Sequence, residues 1–231
     1  MKQKSDGLDI GNRMKGYESV TEYHLTRRVP VIIRVDGRAF HTITRRRFGK
    51  KWSMEFVDQM IEASRFVIKD IQGCDFCYSF SDEVSFLLTD YKTIRTSPWF
   101  DYDLRKIISI SASLMSSVFS RIYGKNVCFD SRAWSIPQNE VCNYFIWRQI
   151  DATRNAIQMA GREYFSHTQL KNKSCNEIQE MLFQEYKINF NDYPVVRRRG
   201  FCVVKEESDL DIPIFSRDRE YIEQYVNIRE D

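Results

Sequence analysis

Residues 74–89 read CDFCYSFSDEVSFLLT. Two apolar and aromatic runs flank a short polar break at Ser81-Asp82, the pattern of a β-hairpin. Working outward, residues 53–71 place Phe56, Met60, Ile61, Ser64, Val67, Ile68 and Ile71 on one face of a helix. Upstream of it lie a strand at about 30–35 and a basic loop, TRRRFGKKW, at 44–52. Downstream of the hairpin, residues 103–122 carry a helical stripe of Leu104, Ile107, Ile108, Met115, Val118, Phe119 and Ile122. A strand follows at about 126–130 and continues through the AWSI stretch. The order is β-α-β-β-α-β, the split βαβ or ferredoxin-like pattern of the α+β class. Residues 136–231 then supply helices at about 138–165 and 175–185, a strand-like GFCVV at 200–204 and a tail that turns helical at its end. This mainly helical C-terminal part is expected to pack on the core of residues 1–135 as one structural unit.

Composition is that of an ordinary globular protein: 231 residues, 42% hydrophobic and 29% charged, with 16 Phe, 12 Tyr and 4 Trp to fill a core. A net charge of +3 does not mark a polyanion binder by itself, so any such claim needs local clustering. The N-terminal stretch has no apolar region of the secretory type. No apolar run approaches the ~18 residues of a membrane span. Six cysteines are scattered, and Cys74-x-x-Cys77 has no second pair or nearby His to complete a zinc set. In a strand, an offset of three points those two thiols to opposite faces. The cysteines read as reduced core residues of a cytoplasmic protein.

The strand at 31–35 runs into a charged turn, VIIRVDGRAFH at 31–41. Asp36-Gly37 alone is common turn chemistry, and Asp82-Glu83 alone is a polar hairpin tip. In a split βαβ sheet, however, the third strand lies antiparallel beside the first. The tip Ser81-Asp82-Glu83 then meets Asp36 at one sheet edge. Two facing carboxylates with no His or Cys suit Mg²⁺ shared with substrate phosphates, the arrangement of two-ion phosphoryl transfer. Gly37 lets a phosphate or ion approach the backbone. The following N–H groups of Arg38, Ala39, Phe40 and His41 could form an anion nest. Arg34, Arg38, Arg45-Arg46-Arg47 and Lys50-Lys51 add positive charge at that end. Arg45–47 and Arg197–199 fit either solvated loops or polyanion contacts. His24, His41 and His167 show no ligand spacing.

VDGRAFH at 35–41 followed by YSFSDEVSFLL at 78–88 resembles the palm-like core of the tRNA-His guanylyltransferase superfamily. GNRMKGYE at 11–18, WRQIDATRN at 147–155, NKSCNEIQEML at 172–182 and YPVVRRRGF at 193–201 extend the likeness over nearly the whole chain. The resemblance implies a palm-type catalytic core that adds nucleotides to the 5′ end of tRNA, in the 3′-to-5′ direction. It implies activation of the 5′ end by ATP, or use of a 5′-triphosphate, followed by attack of the 3′-hydroxyl of GTP or another nucleoside triphosphate. By the same resemblance Asp36, the Gly37 carbonyl and Asp82 hold two Mg²⁺ ions, and Asp36, Asp82 and Glu83 are the catalytic carboxylates. Asp36, Gly37, Arg38, Ala39, Phe40, His41, Ser81 and Asp82 hold the nucleotide, and Lys50 contacts its triphosphate. A homotetramer is the family's habit.

Two departures refine the expectation. The guanylyltransferases proper carry His-Ile-Asn-Asn after the W-R-x-x-D segment, whereas this chain has Thr153-Arg154-Asn155-Ala156. It is therefore similar to the like-protein branch, which repairs truncated tRNA 5′ ends by templated addition. The expected GDRMK reads GNRMK, with Asn12 in place of the acid. Two other readings compete: a palm-fold nucleotide cyclase or signalling-nucleotide synthase, and a non-catalytic tRNA-binding protein. The first wants a glycine pair at the hairpin that SFSDEVS lacks. The second has no use for facing carboxylates.

Overall fold

The structure, a computed structural model, describes residue 7 and residues 9–205 and 207–227. An N-terminal helix α1 (Ile10–Ser19) precedes strand β1 (Val31–Gly37), helix α2 (Phe40–Phe48) and helix α3 (Met54–Asp70). The hairpin strands β2 (Cys74–Phe80) and β3 (Glu83–Leu88) lead to helix α4 (Leu104–Tyr123) and strand β4 (Phe129–Ser135). The long helix α5 (Val141–Tyr164) is followed by α6 (His167–Leu170), α7 (Cys175–Tyr186) and α8 (Val195–Arg199). Strands β5 (Phe201–Val204) and β6 (Glu207–Asp209) and a short helix α9 (Glu220–Glu223) complete it.

The strands form one antiparallel sheet in the order β4-β1-β3-β2-β5-β6. Its first four strands have the ferredoxin-like arrangement read from the sequence. β5 extends the sheet beside β2, and β6 is an added edge strand the sequence reading did not include.

Alternation along β1 divides the two faces. Ile33 and Val35 join Met60, Val67, Met115 and Phe119 in a core under α3 and α4. Ile32 joins Leu87, Phe76, Phe145 and Phe215 in a second core under α5 and the tail. Burial of these aliphatic and aromatic side chains is worth roughly 1.5–3 kcal/mol apiece. Helix starts are capped locally: Ser53 accepts from the Phe56 amide, and Asp103 from the amides of Arg105 and Lys106.

Three local expectations are corrected. Of the basic loop expected at 44–52, residues 44–48 belong to helix α2 and only 49–52 are loop, because Phe40, Ile43 and Phe48 turn onto the α3/α4 core while Arg45–Arg47 occupy the last turn. Cations there complement the helix dipole. Cys74 and Cys77 share one core, not opposite faces. The register shifts between Cys74 and Phe76, a bulge that adds one residue and restores both thiols to the same side. Four cysteines are buried, but Cys128 is exposed and Cys175 half-buried. Asn12, in the acid's place, donates from its side chain to Asp9 at 2.9 Å on the exposed helix α1. Among the described residues, no helix is long and apolar enough to cross a membrane.

Candidate active site

The register places Asp36 of β1 directly opposite Glu83 of β3, and the Gly37 amide donates to the Asp82 carbonyl at 3.1 Å. Backbone pairing therefore joins the VDG turn to the hairpin tip. Ser81 adopts a left-handed backbone (φ 56°), and its hydroxyl donates to Asp82 Oδ1 at 3.0 Å. Burial, and next the charge of Asp36, pushes the Asp82 carboxyl up to about 6. Asp36 is also raised, by burial and then by Asp130, against the pull of Arg132, Arg34 and Arg148. Two partly desolvated carboxylates that repel one another are the donor set a hard cation neutralises. Among the described residues no group of three or more His, Cys, Asp or Glu forms a complete metal cage. A Mg²⁺ ion that takes its other ligands from phosphate and water needs only one or two carboxylates.

After Gly37 the chain turns tightly. A Cβ on Gly37 would lie 2.4 Å from the Phe40 ring. That ring packs against Phe129 and Phe119 with centroids 4.8 and 5.4 Å apart. Ala39 takes a left-handed conformation (φ 58°) as the residue preceding α2. The first-turn amides of the helix, from Phe40 and His41, have no carbonyl one turn back to receive them. The expected nest is narrower than four amides, because the Arg38 N–H donates to Cys128 O at 2.9 Å.

A cavity of about 840 Å³ opens from this turn. Gly37, Ala39, Phe40, His41, Lys50, Ser81 and Asp82, all anticipated, line it. Asp36 and Arg38 do not; Asp36 lies on the α5 side of the sheet, in the row of Glu83 and Asp130. The far wall comes from residues the sequence reading did not select, among them Arg162, His167, Lys171 and Lys173. The wall is assembled from segments distant in sequence, and its one sequence signal, NKSCNEIQEML at 172–182, which carries Lys173, says nothing of where that segment packs.

The loop carrying Lys50 is tethered. Glu163 of α5 accepts the Trp52 amide at 2.8 Å and two bonds from Arg197, each 3.0 Å. Arg197 also stacks over Tyr193, 3.5 Å from the ring centroid. Arg199 donates to the Ile212 carbonyl at 3.0 Å. Of the cluster at 197–199, Arg197 and Arg199 are thus committed to internal contacts and are not a solvated loop, while the Arg198 Nε is buried without a hydrogen-bond partner among the described residues. In the other cluster, Arg47 donates to Tyr123 O and pairs with Glu55, while Arg45 faces the cavity.

Glu83 is engaged as well. Arg148 of α5 donates to both its oxygens, Nε to Oε1 and Nη2 to Oε2, each at 2.7 Å. Arg148 lies 3.4 Å from Asp151 as well. Glu83 therefore holds α5 over the sheet, beside the carboxylate pair rather than within it.

A sequence model of the Thg1 family, described as tRNAHis guanylyltransferase, matches residues 11–137, more than half of the chain. The tRNA(His) guanylyltransferase of Schizosaccharomyces pombe is 28% identical over 217 residues, spanning 84% of this chain and 81% of that protein. The solved structure of a bacterial tRNA(His) guanylyltransferase (Thg1)-like protein in complex with ATP is 40% identical, with a TM-score of 0.91 over 94% of this chain and 99% of that one. The structure of such a protein in complex with GTP is 38% identical, with a TM-score of 0.83 over 94% of this chain and 98% of that one. The strand that carries Asp36 and the hairpin that carries Asp82 lie within residues 11–137, and the chain belongs to the Thg1 family of tRNAHis guanylyltransferases.

Proposed function

We propose that this protein is a Mg²⁺-dependent nucleotidyltransferase that adds nucleotides to the 5′ end of tRNA. The observation that carries the reading is Asp82 in the wall of a nucleotide-sized cavity, with Asp36 beside it on the α5 side of the sheet and close enough for its charge to raise the Asp82 carboxyl. The ATP and GTP named for the two bacterial Thg1-like structures support it. Asp36, Asp82 and the Gly37 carbonyl would hold the ions. Bound there, Mg²⁺ would supply charge neutralisation of the phosphates and of the displaced pyrophosphate.

The chain's own groups do the rest. The first-turn amides of α2 face anionic oxygens at the positive end of the helix dipole. Lys50, held by the Trp52–Glu163 tether, approaches the triphosphate. Phe40, His41 and Ser81 shape the nucleotide end of the cavity. The reaction extends a truncated tRNA opposite its template base, after activation by ATP or from a 5′-triphosphate, as in the like-protein branch. A cytoplasmic homo-oligomer completes the proposal.

The test uses a tRNA lacking its first 5′ nucleotide, Mg²⁺, ATP and the four nucleoside triphosphates, followed on a gel. Templated growth by one nucleotide at the 5′ end, absent with Asp82→Ala, is the expected result. No growth with tRNA binding intact would favour a binding protein.

A further inference from the structure

On the α5 side of the sheet, beyond the carboxylates, lies a second surface. Trp134 of the edge strand β4, Tyr144 and Trp147 form a ladder of rings, with successive centroids 5.6 and 5.9 Å apart. A guanidinium closes each end: Arg34 lies 5.9 Å from the Trp134 ring and Arg148 4.6 Å from the Trp147 ring. The Tyr144 hydroxyl is fixed at 2.7 Å from Ser85 Oγ, so the middle rung is rigid. Trp147 is 52% exposed, and Ile150 beside it on α5 is 55% exposed. The rings meet edge-on and tilted, at 73° and 59°, so Trp147 is held by Tyr144 and Arg148 and still leaves half of its surface open to an added ring.

The ladder adjoins the reacting groups. Arg34 and Arg132 occupy one cross-strand row, and Asp36 with Asp130 the next, on the same face. Arg148 is spent on Glu83 and Arg132 pairs with Asp130, while Arg34 has no carboxylate within 4.0 Å among the described residues. The nucleotide cavity opens at Gly37 and Asp82, away from this surface. An in-line displacement puts the attacking and the leaving oxygen on opposite sides of the phosphorus, so the carboxylate pair must be reached from more than one direction. With a nucleotide in the cavity, the α5–β4 corner offers a second approach, on the face of the sheet where Asp36 lies.

We infer that this corner binds the single-stranded end of the RNA substrate, with an unpaired nucleobase stacked on Trp147 and the backbone near Arg34. The inference rests on the proposed action at tRNA ends and adds the place where the unpaired strand lies. Every base has a π-face, so such a platform holds a strand without reading its sequence. A base within a duplex is already stacked and offers no face.

The test measures fluorescence anisotropy of a labelled acceptor-type RNA duplex with a short single-stranded overhang, against the blunt duplex of the same sequence. The overhang is expected to bind wild type more tightly than the blunt duplex. Trp147→Ala should erase that difference by roughly 5- to 100-fold, the cost of one lost stack, and Trp147→Phe should keep most of it. ATP affinity without RNA checks that each variant is intact locally. Equal binding of both RNAs by wild type, or an overhang preference unchanged in Trp147→Ala, would overturn the inference. So would a change in oligomeric state alone, which would make the corner a subunit contact. Extension of the same RNA is scored separately. Binding that depends on Trp147 without extension would sink the proposed reaction and keep the surface, and extension without that dependence would do the reverse.

Discussion

Arg148 binds both carboxylate oxygens of Glu83 at 2.7 Å, and Glu83 stands directly opposite Asp36 in the sheet. The long helix of the C-terminal half is thus fastened to the strand pair that carries the two acids. Their side chains are only 12% and 21% exposed, so the pair is more than a surface ion pair.

Removing the guanidinium leaves Glu83 charged, partly buried and next to Asp36. Arg148→Ala is expected to cost about 2 kcal/mol in urea unfolding, between the values for exposed and buried pairs. Activity should fall further than stability at a temperature where the variant is folded, because the freed carboxylate perturbs the Asp36–Asp82 pair. Arg148→Lys keeps the charge but loses the two-pronged grip, and should recover only part of the activity. A variant with wild-type turnover would show that the clamp is only structural.

Much of this site was legible. Asp36 and Asp82 are distant in sequence, but the split βαβ order brings strands one and three together, and the motif residues fall at their ends. Glu83 was legible as a carboxylate but not as a partner of Arg148, because nothing local says where a helix after the fourth strand will cross the sheet. The bulge at Asp75 was hidden for a similar reason: an extra residue in a strand shows only against its partner's register. Helix α2 was missed because its basic residues outweighed a sparse apolar pattern of Phe40, Ile43 and Phe48. Its start at a left-handed alanine also lacks the usual capping residue.

Stability should depend on pH through Asp82. Its folded-state value of about 6 lies above the ordinary 3.8, so between those values the folded protein binds more protons than the unfolded chain. Stability without metal must then fall as pH rises from about 4 through 6. Melting temperatures in chelator are expected to show this decline, and Asp82→Asn to flatten it. Added Mg²⁺ should raise the melting temperature of wild type more at pH 7.5 than at pH 5, since only the ionised pair attracts the ion. A stabilisation by Mg²⁺ equal at both pH values would argue against these ligands.

Gly37→Ala tests the close turn between strand and helix. The new methyl would meet the Phe40 ring at 2.4 Å, and that ring is wedged among Phe56, Phe119 and Phe129. The ring has nowhere to retreat, so the backbone must shift. A loss of about 1–3 kcal/mol is expected, as for other overpacked sites. The shift also displaces the Gly37 amide from the Asp82 carbonyl, so nucleotide affinity by calorimetry should fall with it. A variant of full stability and full affinity would mean the turn is more pliable than its packing indicates.

Glu163 offers a way to loosen one wall of the cavity without touching the carboxylates. It holds the Trp52 amide and the Arg197 guanidinium, and the loop it anchors carries Lys50 and Lys51. Glu163→Gln keeps an acceptor for the amide and weakens the charged bonds to Arg197, so the fold should survive with a small drop in melting temperature. Lys50 would then sample positions away from the triphosphate, and that contact is made before the chemical step. KM for the nucleoside triphosphate is therefore expected to rise several-fold with kcat little changed, since lost ground-state binding appears in KM. Lys50→Ala should raise KM as well, and the double variant should do little more than the single one, because both remove the same contact. Independent, additive effects in the double variant would show that Glu163 supports the site by a route other than the lysine loop.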